Sequence, residues 1–100
     1  MKSGYKIFWT DHALSELQLH LAYIENNWTK MEIKNFAHQL DHVIELISHN
    51  PSLFQATKQN KNVRRAVIHK HFTLYYQTKK RRIEILALFG NRQNPRKRKL

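Results

Sequence analysis

The chain is 100 residues long, with 18 Lys/Arg against 7 Asp/Glu, a formal charge of +11, 41% hydrophobic residues and no cysteine. That length and apolar content suit one domain with a modest core and do not suit a disordered chain. They exclude a disulfide framework, a thiolate metal site and a cysteine nucleophile. No run approaches the ~18 apolar residues of a membrane span, and residues 1–10 lack the apolar centre of a secretion signal, so a cytoplasmic location is expected.

Residues 5–9 read as a short strand, with Tyr5, Ile7 and Trp9 alternating against Lys6 and Phe8. Thr10 or Asp11 offers an N-cap oxygen, and the period then lengthens to that of a helix. Leu14, Leu17, Leu21 and Ile24 share one helical face, and Asn26-Asn27 marks the end of that helix. Thr29-Lys30-Met31-Glu32 matches a capping box, and Ile33, Phe36, Leu40, Val43, Ile44 and Ile47 then form an apolar stripe. Pro51 stops this second helix near residues 48–50. The short connection between the helices predicts an αα-hairpin.

Residues 52–61 are polar and without period, and read as a loop. Three strand-like runs follow at 63–68, 72–77 and 82–89, with breaks at 69–71 and 78–81 short enough for an antiparallel meander. Gly90 ends the last run. The order β-α-α-β-β-β predicts an α+β fold, an antiparallel sheet with the helical hairpin packed on one face. Residues 1–90 are expected to form one domain, and residues 91–100 a basic C-terminal tail.

Charge divides sharply along this order. Residues 1–50 hold 4 Lys/Arg and 6 Asp/Glu, a balance of −2; residues 51–100 hold 14 against the single acid Glu84, a balance of +13. Such a field opposes compaction and is not needed for folding, so it points to an anionic partner.

The element order, together with Val63-Arg64-Arg65-Ala66-Val67-Ile68, Phe72-Thr73-Leu74-Tyr75-Tyr76, the run from Ile83 to Phe89 and the ending Asn91-Arg92-Gln93-Asn94-Pro95, resembles the RelE/ParE superfamily of toxins, in its ParE-like or plasmid-stabilisation branch. The resemblance spans nearly the whole chain. It implies the toxin of a type II toxin–antitoxin pair, with a cognate antitoxin as partner, a possible toxin–antitoxin hetero-oligomer, no cofactor and no membrane partner. RelE-like members cleave mRNA on the ribosome without a metal, whereas ParE-like members are described as inhibiting DNA gyrase.

Against the RelE-like pattern of cations, Arg64 matches the first of a basic pair on the first meander strand, but Ala66 stands at the second. Thr73 stands where the second strand would begin with Arg, Arg92 matches the Arg after the last strand, and the tail lacks a Tyr. Half the set is missing, which favours a ParE-like inhibitor of a DNA-handling enzyme over a ribonuclease. The alternative ribonuclease would use Arg64, His69, His71 and Arg92 for phosphate and proton work. A non-toxic basic nucleic-acid-binding module is the third reading, resting on charge alone.

Individual residues admit functional and plain readings. His69-Lys70-His71 would place two imidazoles on one side of an extended segment, or form a basic hairpin turn. His38 and His42 have the i, i+4 spacing of metal ligands but lack the flanking Glu of HExxH, which favours an exposed helix face. Arg64 and Arg65 must face opposite sides of their strand, as phosphate or carboxylate contacts or as solvated groups, with a salt bridge to Glu84 possible for either. Arg96 to Lys99, with Arg92, give a cluster of five positive charges that reads as a polyanion or antitoxin contact, or as a solvated end. Trp9, Trp28, Phe36, Phe54 and Phe89 are assigned to packing. Of Tyr75 and Tyr76, which face opposite sides, one could be an exposed stacking platform. The expected target-binding set is Arg64, Arg65, Lys70, Tyr76, Arg92, Asn94, Arg96, Lys97 and Arg98.

Overall fold

The computed structural model of the chain describes residues 4–69 and 72–90. Its elements follow the expected order: β1 (Lys6–Trp9), α1 (Asp11–Asn27), α2 (Lys30–His49), β2 (Val63–His69), β3 (Phe72–Lys79) and β4 (Arg82–Gly90). The sheet order is β1-β4-β3-β2, with β2-β3 and β3-β4 antiparallel. β1 joins the far edge parallel to β4, so the antiparallel meander becomes a mixed sheet. Two hairpin reversals leave β4 running in the direction of β2, and β1 adds along that direction.

The helix boundaries have local causes. Thr10 caps α1 by accepting from the Ala13 N–H, and its hydroxyl donates to the Ile85 carbonyl at 2.8 Å, which ties the helix start to the sheet. At α2 the capping box is complete: Thr29 Oγ1 accepts from the Glu32 N–H, and the Glu32 carboxylate accepts from the Thr29 N–H. The end of α2 is pinned to the start of β1, because Ser48 accepts from the Tyr5 N–H through its carbonyl and donates to the Tyr5 carbonyl through its hydroxyl.

α1 packs over β4 and α2 over β2. The core lies between these helices and one face of the sheet, built from Ala13, Ile24, Phe36, Val43 and Ile47 against Ala66, Ile68, Phe72, Leu74, Tyr76, Ile83, Ile85 and Leu88. Phe72 is its aromatic centre, with ring centroids 4.9 Å from both His20 and Phe36 and 5.9 Å from Trp28. In the predicted stripe of α2, Phe36, Val43 and Ile47 are buried and Ile33, Leu40 and Ile44 are half-buried. In α1 the expected stripe holds at Leu17, Leu21 and Ile24, which pack into the core, and fails only at its first position, where Ala13 is fully buried and Leu14 is 41% exposed. The Ala13 N–H donates to the Thr10 cap, and Thr10 is itself tied to the Ile85 carbonyl, so the first turn of α1 is anchored to the sheet at Ala13 and Leu14 lies outside it.

β1 pairs with β4 only as far as Ile85, so β4 beyond that point would present an unpaired edge. α1 closes it. Glu16 Oε1 accepts from the Leu88 N–H at 2.7 Å, and His20 Nε2 lies 2.6 Å from the Leu88 carbonyl. A carbonyl can only accept, so Nε2 carries the hydrogen.

On the opposite edge, the connection before β2 is less irregular than expected. Ala56 bridges Arg64, and the Arg65 N–H donates to the Gln55 carbonyl. In β4 the pairing shifts between Tyr75↔Ala87 and Tyr76↔Ile85, which makes Leu86 a bulge residue.

The β3–β4 turn is tighter than the expected break. Lys79 pairs with Arg82, leaving Lys80 and Arg81 as a two-residue loop with φ of 49° and 64°. Positive φ at both central residues is what a type I′ turn demands and what Asn-Gly supplies at least cost. Lys80→Asn/Arg81→Gly should therefore stabilise the fold by about 1–2 kcal/mol, roughly 5–10 °C in Tm by calorimetry. An unchanged or lowered Tm would show that the turn stores no strain.

Candidate functional site

Cross-strand register sorts every side chain of the sheet onto one of two faces. The face away from the helices carries, row by row, Lys6, Arg82 and Lys79; then Phe8, Glu84, Gln77 and Val63; then Ala87, Tyr75 and Arg65; then Phe89, Thr73 and Val67. Its centre is a close-packed aromatic patch, with the Tyr75 and Phe89 ring centroids 5.4 Å apart. Its rim at the β3–β4 turn is cationic.

Arg64 and Arg65 fall on opposite faces. Arg65 is exposed on the outer face. Arg64 turns toward the helix side and is only half-buried; its Nη1 donates to the Phe54 carbonyl at 2.7 Å. Neither bonds Glu84. That carboxylate is held by Arg82, which reaches Oε2 at 2.7 Å, and by Gln77, which donates to Oε1 at 2.9 Å.

Neither Tyr75 nor Tyr76 is an exposed stacking platform, contrary to the expectation for one of them. Tyr76 is 0% exposed and Tyr75 6%, so neither offers a face to a base. β3 is an interior strand, with Tyr76 covered by the helices and Tyr75 packed edge-on against Phe89 on the other face. Tyr76 instead holds the polypeptide, donating its hydroxyl to the Pro51 carbonyl at 2.8 Å. With Arg64 it fastens residues 51–54 beneath the sheet edge. Burial pushes the Tyr76 phenol up from its ordinary value, opposed by the Arg64 guanidinium and by a hydrogen bond to the Phe54 backbone.

His69 closes β2, where it pairs with Phe72. Lys70, His71, Arg92, Asn94, Arg96, Lys97 and Arg98 lie outside the described residues. His38 and His42 are exposed on α2. Among the described residues no three His, Asp or Glu side chains are grouped to hold a metal ion, and no helix is long and apolar enough to cross a membrane.

The sequence reading passed over the turn cations Lys79, Lys80, Arg81 and Arg82, and Lys6 beside them. Four consecutive cations in a hairpin break with no Gly or Asn were the available signal. Among the described residues, Arg82 is the only Lys or Arg in an ion pair. The helical layer is opposite in sign: α1 holds three acids and no Lys or Arg, and α2 holds three acids and two lysines, a balance of −4.

Two pH effects follow. The folded Tyr76 pKa is raised, so its contribution is fully present below the unfolded value of 10.0 and is lost as pH rises through the folded value. Tyr76→Phe should cost about 1 kcal/mol at neutral pH and flatten that alkaline loss in urea titrations. The Glu84 carboxyl is held low by the Gln77 hydrogen bond first and by Arg82 next, so its contribution is present above the unfolded value of 4.5 and is lost as pH falls through the folded value. Glu84→Gln should remove that acid-limb dependence; an acid limb identical to wild type would show that the Gln77–Glu84–Arg82 cluster does not act on stability.

No individually curated protein matches the chain. At family level the match is extensive: the family described as "ParE toxin of type II toxin-antitoxin system, parDE" is matched over residues 7–95, from β1 through all four strands and both helices. The chain belongs to the ParE toxin family of type II toxin–antitoxin systems.

Proposed function

We propose that this toxin arrests growth by binding a DNA-handling enzyme such as DNA gyrase, without cutting nucleic acid itself. The observation that carries the reading is the condition of the sheet where a ribonuclease would need cations. Arg64 is committed to the Phe54 carbonyl. Ala66 and Thr73, at the positions that are basic in RelE-like chains, are 1% and 6% exposed. A buried methyl and a buried hydroxyl supply neither a phosphate clamp nor stabilisation of a developing charge.

Family membership implies a cognate antitoxin partner. An antitoxin segment that orders on binding would mask the toxin, drawing its affinity from the cationic outer face of the sheet. Both proteins would then act in the cytoplasm, where the target enzyme works.

Induction of the chain without antitoxin should halt growth. Purified toxin should inhibit gyrase supercoiling or trap its cleavage complex, and RNA 5′-end mapping after induction should show no new codon-dependent cuts. Codon-dependent cuts with unaffected supercoiling would replace this reading with a ribonuclease using Arg64, His69, His71 and Arg92. Harmless expression would leave only a basic nucleic-acid-binding module.

A further inference from the structure

The described cations concentrate at one end of the sheet. Register aligns Lys6 of β1 with Arg82 of β4, and Arg82 with Lys79 of β3, a row of three cations across three neighbouring strands on the outer face. Lys80 and Arg81 form the turn that continues this row. All five are exposed. β2 starts opposite Gln77, so the hairpin tip extends past it and stands clear at this corner.

The geometry of the row is fixed. Strands about 4.8 Å apart place its three backbone positions across about 10 Å. The Arg82 guanidinium lies 5.0 Å from the Phe8 ring centroid and is also bonded to Glu84, so its direction is set from two sides. Among the described residues Glu84 is the one carboxylate bonded to the row, and Gln77 shares it. Lys80 and Arg81 occupy left-handed backbone conformations that Asn and Gly would occupy with less strain, so folding does not account for their charge.

We propose that this hairpin end, comprising Lys6, Lys79, Lys80, Arg81 and Arg82, is a binding site for the phosphate backbone of duplex DNA. Duplex DNA carries one charge per about 1.7 Å of axis with both strands counted, so about 10 Å of duplex holds about six, the same order as the five cations of this end. A two-stranded ribbon is also narrow enough to enter the major groove, with its flanking cations on the phosphates. The site rests on the hairpin's own geometry and is independent of which enzyme the toxin inhibits.

The test uses the full chain and a fluorescently labelled 20-base-pair duplex, with anisotropy titrations across a range of NaCl concentrations. Lys80→Gln/Arg81→Gln should weaken binding about tenfold near 0.1 M salt and reduce the steepness of the log K against log [NaCl] plot by about 1.8, or 0.9 per lost phosphate contact. Lys80→Asn/Arg81→Gly should show the same loss in a protein of equal or higher Tm, which separates lost contacts from lost folding. Lys30→Gln/Lys34→Gln on α2 should leave affinity and slope unchanged. Wild-type affinity and slope in the hairpin variants would overturn the proposal, as would an equal loss in the α2 variant. Polyglutamate binding more tightly than the duplex at matched charge would also overturn it, in favour of an acidic protein segment.

Discussion

One face of the meander is sealed under two acidic helices, and everything else in the molecule follows from that constraint. The seal takes up apolar side chains from all four strands: Ile7 and Trp9 on β1, Ile83, Ile85 and Leu88 on β4, Phe72, Leu74 and Tyr76 on β3, and Ala66 and Ile68 on β2. Lysine and arginine cannot be buried there without partners. Except for Arg64, which bonds the Phe54 carbonyl, those described in the sheet lie on the outer face, the rim and the turn, where the one carboxylate of the C-terminal half is already engaged. The outcome is a molecule with a −4 helical layer backing a sheet whose cations are almost wholly unneutralised. Electrostatically it is two-sided, and on the cationic side the turn-end residues are exposed while Thr73, Tyr75, Glu84 and Ala87 at the centre of the face are buried.

The same seal explains why some polar residues that attract attention in the sequence serve the fold. Arg64 lies on the helix side of β2, where the carbonyl of Phe54 is within reach, and Tyr76 on the same side reaches Pro51. Together they hold down the connection that leads from α2 into β2. Glu16 and His20 do comparable work at the other edge by satisfying both backbone groups of Leu88 beyond the end of β1. Each group offsets a buried or edge polar atom that would otherwise go unpaired, so these side chains are occupied before any partner arrives.

Much of this architecture is legible in the residues alone. The capping box at Thr29 and Glu32 and the change of period after Trp9 are local signals, and local signals fix where helices begin. The alternation in the three C-terminal runs likewise forecasts the meander. What escapes is whatever depends on how elements meet. Ala13 replaces Leu14 in the core because Thr10 ties the first turn of α1 to Ile85, an anchor that no wheel projection contains. The parallel pairing of β1, the bulge at Leu86 and the bridge at Ala56 are long-range registers. Burial of Tyr76 follows from the interior position of β3. The turn at Lys80 and Arg81 is concealed for a different reason, since its residues are among those that local propensity disfavours at positive φ. Departure from propensity is itself informative when it coincides with concentrated charge.

The account therefore stands on the claim that the sheet's turn end, and not the helical layer, meets the anionic partner. Backbone amide chemical-shift mapping of the isotopically labelled full chain, titrated with a short DNA duplex, tests this most directly. The largest shifts should fall on Lys6 and on Lys79 to Arg82, with α1 and α2 unmoved. Shifts centred on the helices, or spread evenly over the molecule, would contradict it.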